Sequence, residues 1–292
     1  MHIVNIIFLL LFVRVSVFGQ QRVEHEFVGT LQINGGGLVT YKLVFSETGG
    51  LTIAGTSMTD LLGPDKTSSK IEGTISVDKT KISIRETENI YTKSTAADSL
   101  FCYIHINNAR IKKVSNKRVI QGNFVGKYRN GKKCVDGYIY LIGADFADSL
   151  AQKVALSANE NTSDTLKRLL STYSQKVKGS GITELKKNEL LSIKWPCQEA
   201  TIELWDGRAE DGDMVSVLLN GVVVMEKVVI TQQKKSVVVQ LREKINLIKI
   251  IAEHEGNQSP CTVDVVMRCD DRKHSLQTVL NKSENALIKL YN

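Results

Sequence analysis

The sequence predicts a mainly β protein of two β modules joined by a helical connector. Three observations carry this. Short runs of alternating apolar and polar residues recur every 10 to 15 positions from about residue 22 to 142. They are punctuated by Asn34-Gly35-Gly36-Gly37, Gly49-Gly50 and Asn130-Gly131, turn chemistry suited to backbone with φ > 0. A second set of such runs returns after residue 191.

At the start of the chain, MHIVNIIFLLLFVRVSVFG has an apolar stretch from Ile3 to Val13 and small residues before a cut after Gly19. It reads as a signal peptide over residues 1–19, although no Lys or Arg precedes the apolar run. Eleven apolar-rich residues fall short of the ~20 needed to span a bilayer, and no later run is long and apolar enough. The expectation is export to an extracytoplasmic place, periplasmic or secreted. Of the formal charge of +7, Arg14 leaves with the signal, so the mature chain keeps +6, a sign that favours anionic surfaces. In an oxidising compartment the five cysteines are disulfide candidates. Cys102 with Cys134 is the natural pair in the first half, while Cys197 can pair with Cys261 or Cys269 and leaves one thiol over.

Residues 20–142 form the first predicted domain. Its eight candidate strands are 23–33, 38–45, 51–57, 70–77, 81–92, 100–107, 118–125 and 134–141. Short connections make them an antiparallel meander, and closure would remove its exposed edges. Glycines inside strands at Gly55, Gly73 and Gly122 mark bends or close backbone approach, so the sheet should be strongly coiled. An eight-stranded barrel or curled sheet follows, and its strand count resembles the calycin group in architecture only, because no Gly-x-Trp stands on the first strand. Between 143 and 192, Leu166, Leu169, Leu170, Tyr173 and Val177 line one face of a helix. That segment is read as a helical connector or as a helix packed on the barrel.

Residues 193–292 read as a β-sandwich. Thr201–Met225 opens it with two alternating runs around an acidic loop, ending at the hairpin dipeptide Asn220-Gly221. Further runs cover 228–231, 236–241, 245–252, 262–267, 275–280 and 286–291, and the nearly continuous apolar run 245–252 belongs at the centre of the core. The combination Leu204-Trp205-Asp206, Glu210-Asp211-Gly212-Asp213, Leu219-Asn220-Gly221, Asn246-Leu247-Ile248 and Ala286-Leu287-Ile288 resembles a C-terminal β-sandwich in a largely uncharacterised group of secreted proteins of Bacteroidota. Asp98-Ser99-Leu100, Asp148-Ser149-Leu150 and Asp164-Thr165-Leu166 also look like the Asp-Ser/Thr-aliphatic sites at which such bacteria O-glycosylate exported proteins.

Chemistry-bearing clusters are few. Asp206, Glu210, Asp211 and Asp213 gather four carboxylates; Asp-Gly composition first predicts a tight solvated turn, with calcium as the alternative through hard oxygen ligands. Arg110, Lys112, Lys113, Lys117, Arg118, Lys127, Arg129, Lys132 and Lys133 stand in a stretch without a single carboxylate. If two turns bring them together they make a cationic patch for phosphate or carboxylate groups on lipid or glycan; the plain alternative is solubility, and nucleic acid does not suit the compartment. Cys102 and His105 could suggest a thiol and its base, but residues three apart on a strand face opposite ways, and a disulfide explains Cys102 better. The motifs of serine hydrolases, zinc proteases, P-loop and dinucleotide-binding enzymes are absent. The leading expectation is therefore a non-catalytic binding or assembly protein of the cell envelope, with an envelope protein, glycan or lipid as partner and no cofactor. Its alternatives are an envelope hydrolase using a carboxylate pair and a carrier of a small apolar ligand inside the barrel.

Overall fold

The computed structural model describes residues 24–61, 63–114, 117–144, 182–208 and 210–291. The signal-peptide reading, most of the connector, and the Asp148 and Asp164 tripeptides lie outside them.

Strands β1 (Glu24–Ile33), β2 (Leu38–Gly49), β3 (Thr52–Thr59), β4 (Thr67–Ile75), β5 (Lys81–Thr92), β6 (Tyr103–Val114), β7 (Lys117–Lys127) and β8 (Lys133–Gly143) each pair antiparallel with the next. β8 returns to β1, with Thr30 opposite Tyr140, so the barrel is closed. Glycine makes the closure possible. A Cβ on Gly29 would lie 2.0 Å from the Tyr140 carbonyl oxygen, and one on Gly55 would lie 2.0 Å from that of Val44. Only residues without a side chain let adjacent backbones approach so closely.

The remaining strands are β9 (Thr183–Leu185), β10 (Leu190–Lys194), β11 (Glu199–Trp205), β12 (Asp213–Leu219), β13 (Val222–Val229), β14 (Lys235–Gln240), β15 (Ile245–Glu255), β16 (Cys261–Cys269), β17 (Arg272–Leu280) and β18 (Asn285–Tyr291). They form two layers, β13-β12-β15-β18-β10 and β14-β11-β16-β17-β9. Ile202, Val263 and Leu276 of one layer and Val217, Ile248 and Ile288 of the other enter one shared core. Both layers are mixed, because β10 runs parallel to β18 and β9 parallel to β17.

Two expectations change. The end of the predicted connector is strand, since β9 and β10 belong to the layers, and the second region begins near residue 183 rather than 193. The acidic loop, expected as a tight solvated turn, instead connects the two layers, since β11 lies in one and β12 in the other, and Asp206 and Asp213 at its two ends are buried. The Asn220-Gly221 turn does close a hairpin, with φ of 50° and 85° and Leu219 opposite Val222.

β5 belongs to both halves of the molecule. Its first half pairs with β6, Ile84 opposite Ile106; its end pairs with β10, Tyr91 opposite Ile193. Irregularities against β4 at Ser68/Ser69 and Lys70/Ile71 swing it outward between the two. The barrel sheet thereby runs on into the second region as one sheet of 13 strands.

Candidate functional site

The barrel interior comes first, because it decides between a container and a scaffold. Alternation along the strands sends Phe27, Leu31, Tyr41, Leu43, Phe45, Phe124, Ile139 and Leu141 inward, all buried. Phe27 and Phe45 stack with centroids 6.0 Å apart. Small barrels leave just enough space for side chains, and here they fill it. One end is stoppered by the Cys102–Cys134 disulfide, which lies over Gly126, where a Cβ would meet Cys102 Sγ at 2.3 Å. At the other end Arg118 lies over the Phe27 ring at 5.3 Å and contacts His25 Nδ1 at 2.9 Å. Lys79 there pairs with Glu47 at 2.8 Å.

One carboxylate sits among these apolar groups. Ile82, Ile84 and Glu86 share the inward face of β5, and Glu86 falls where β5 leaves β6. The Ile104 N–H, deprived of a strand partner, donates to Glu86 Oε2 at 2.8 Å. Tyr41 and Ser57 donate to Oε1 at 3.0 and 2.5 Å. Burial raises the Glu86 pKa, partly offset by those three donors. Sequence reasoning did not select Glu86, although a Glu at an inward position of an alternating strand was a readable signal. Both oxygens are engaged by the barrel itself, so the group completes a broken ladder.

The nine predicted cations separate into two groups. In a meander successive turns lie at opposite ends, so the β6–β7 turn carrying Lys113 and Lys117 is a full strand length from the β7–β8 turn carrying Arg129 and Lys132. At the first end Lys113 faces Arg118, Lys112 faces Val119 and Arg110 faces Gln121 and Lys81. Arg118 serves as the stopper described above, whereas Lys81, Arg110, Lys112 and Lys113 form no ion pair among the described residues. At the second end Lys133 pairs with Asp136 at 2.8 Å, Lys127 faces it across the strands, and the second region joins the barrel nearby through β5.

The acidic crossover is held by backbone. Asp206 Oδ1 accepts from the Arg208 N–H at 2.7 Å, Glu210 from Gln232 at 2.7 Å, Asp211 from Asp213 at 3.2 Å and Asp213 from Thr262 at 2.8 Å. Among the described residues no three of their carboxylate oxygens converge within 4.8 Å; Asp206 and Asp213 are buried rather than solvated, and Asp213 Oδ1 has no hydrogen-bond partner among the described residues. Burial pushes the Asp213 pKa up to about 6, and the buried Cys261 thiol beside it is raised as well. Cys261 is free because Cys197 pairs with Cys269. The cavity lined by Trp195, Glu243, Asn246 and Tyr291 encloses about 10 Å³, about the room for one water.

A buried polar cluster lies where the two regions meet. The Tyr91 and His274 rings meet edge to face at 4.9 Å, and Lys93 pairs with Glu189 at 2.6 Å. Desolvation lowers His274 to about 4 and Lys66 to about 8, the proximity of Lys66 depressing His274 further.

No protein-family model, curated protein or solved structure matches this chain.

Proposed function

We propose that the chain is an exported, non-catalytic binding protein of the cell envelope that holds an anionic partner at the barrel end carrying the β6–β7 hairpin. Export is supported by the apolar N-terminal run of the sequence and by two disulfides. The observation that carries the binding reading is the set Lys81, Arg110, Lys112 and Lys113, cations around one hairpin end with no carboxylate of their own among the described residues. Unpaired cations fixed on rigid strands present charge to a partner with little ordering cost. The two alternative readings have less support. A carrier needs an interior left partly empty, and Phe, Tyr, Leu and Ile side chains occupy this one. A retaining or inverting hydrolase needs two carboxyl groups facing one bond, and Glu86 stands without a second in the barrel core.

The test is retention on a dextran sulfate column. Arg110→Glu/Lys112→Glu/Lys113→Glu should elute at markedly lower salt than the wild type. Lys127→Glu/Lys132→Glu/Lys133→Glu, with the same change in net charge, should elute between them. Equal elution of the two triple variants would reduce the patch to general basicity and overturn the reading.

A further inference from the structure

The barrel end that carries these cations has a second property. The β2–β3 turn exposes Leu51 (44%), the β4–β5 turn Val77 (82%) and the end of the β6–β7 hairpin Val114 (53%). Because every second connection of a meander lies at the same end, these residues stand two strands apart around one rim. Apolar side chains held at that exposure gain nothing from the barrel core. Lys81, Arg110, Lys112 and Lys113 stand on β5 and β6 beside Val77 and Val114. Of the carboxylates at this end, Glu47 pairs with Lys79 at 2.8 Å, Asp78 is held ionised by the Ser76 and Thr80 hydroxyls at 2.5 and 2.7 Å, and Glu24 is exposed.

We propose that this rim docks on an anionic lipid bilayer, with Leu51, Val77 and Val114 entering the acyl boundary while the basic residues of β5 and β6 face the headgroups. The inference rests on the binding reading above and names the bearer of the anion. Three separate apolar tips in one rim suit a planar surface with an apolar layer beneath a charged one. A hydrated polyanion offers such tips no apolar phase to enter. A strand from another protein finds no free edge there, since every barrel strand is paired on both sides. The opposite rim is unsuited to a plane, because the second region joins it through Tyr91 and Thr92.

The experiment is co-sedimentation of the full chain with vesicles rich in phosphatidylglycerol or made of phosphatidylcholine alone. The wild type should sediment with the first, not the second, and high salt should weaken the association. Leu51→Ser/Val77→Ser/Val114→Ser, all at exposed positions, should lose at least about tenfold in vesicle affinity by removal of buried apolar area, yet elute from dextran sulfate like the wild type. A Val77→Trp variant should gain emission that shifts to the blue on anionic vesicles and is quenched by brominated acyl chains. Normal dextran sulfate retention without vesicle binding would overturn the lipid assignment and leave the anion-binding reading standing; loss of both would overturn both. Vesicle binding unaffected by the serine changes, or an unshifted emission from the Val77→Trp variant, would overturn the insertion of the tips. Tip-dependent retention on immobilised envelope proteins with no vesicle binding would give the rim to a protein partner and overturn the proposal.

Discussion

The barrel and the two-layer region solve the same problem, a sheet with polar edges, in opposite ways. The barrel joins β8 to β1 and has no edge. The second region leaves β13 and β14 at the margins of its layers, and β13 exposes Val222 and Val223. It blunts that margin with Glu226-Lys227, a bulge in which Lys227 takes φ of 44° and its N–H turns to Ser216 Oγ at 3.0 Å. Closure leaves the barrel no unpaired backbone edge, so only side chains are available on its outside. The layered region keeps backbone available, and its tightest constraint is covalent.

That difference orders the consequences of mutation. The Cys197–Cys269 bridge closes 72 residues and Cys102–Cys134 closes 32. On chain entropy their removal by serine costs about 4.4 and about 3.7 kcal/mol respectively. Denaturant unfolding of the two double variants should place the first at the lower midpoint, and the reverse order would mean that the barrel relies more on its staple. Gly29→Ala should cost about 3 kcal/mol, because its Cβ overlaps the Tyr140 carbonyl at the closing seam and the backbones must part. Exchange of the Thr30 and Tyr140 amides should then accelerate; unaltered protection would show that the seam tolerates separation.

Acid separates the two regions further. Neutral His274 is enclosed at the junction with its pKa lowered to about 4. The unfolded chain therefore binds the proton first as pH falls from ~6.5, and stability is lost progressively down to about pH 4. Asp213, raised to about 6, acts in the opposite sense: the folded form binds the proton first, and stability is gained as pH falls from about 6 to its unfolded value of ~3.9. The two offset one another in the wild type. Relative to wild type, His274→Gln should gain about 3 kcal/mol between pH 7 and pH 4, and Asp213→Asn should lose about 2 kcal/mol. Parallel pH curves for all three proteins would remove this compensation. In the barrel, Glu86→Gln should cost about 2 kcal/mol at pH 7, since the carboxamide oxygen still accepts from Tyr41 and Ser57 but its NH₂ leaves the Ile104 N–H without an acceptor. Because the folded pKa is raised, wild-type stability falls as pH rises from the unfolded carboxyl value through the folded one, so that cost should shrink over this window; a cost that grew with pH would contradict the raised pKa.

Much of the barrel was legible because alternation and glycine turns are local signals. Lys81–Thr92 coincides with β5, and the other seven strands overlap their predicted ranges. Cys102–Cys134 was legible from position in the chain. What escaped was long-range. β9 has three residues and β10 five, too few for a period, and each gains its place by parallel pairing with a strand about 90 residues later. The acidic loop was read as a tight solvated turn because flanking alternation does not say that its two strands join different layers. The basic patch was read as one surface, although a meander already sends its two turns to opposite ends; of its members, Arg118 went to the mouth and Lys133 to Asp136. Glu86 was hidden because its role arises where β5 changes partners, a tertiary event with no sequence marker except a charged residue at an inward position.

The central claim is that the barrel is a filled scaffold and that contacts are made on its outside. Native mass spectrometry of the protein purified from its own host tests this directly. The account predicts that no apolar small molecule stays with the protein under native conditions. Excess mass that disappears on denaturation and proves to be a single apolar ligand would contradict it, because that molecule would need the space occupied by Phe27, Tyr41 and Phe124.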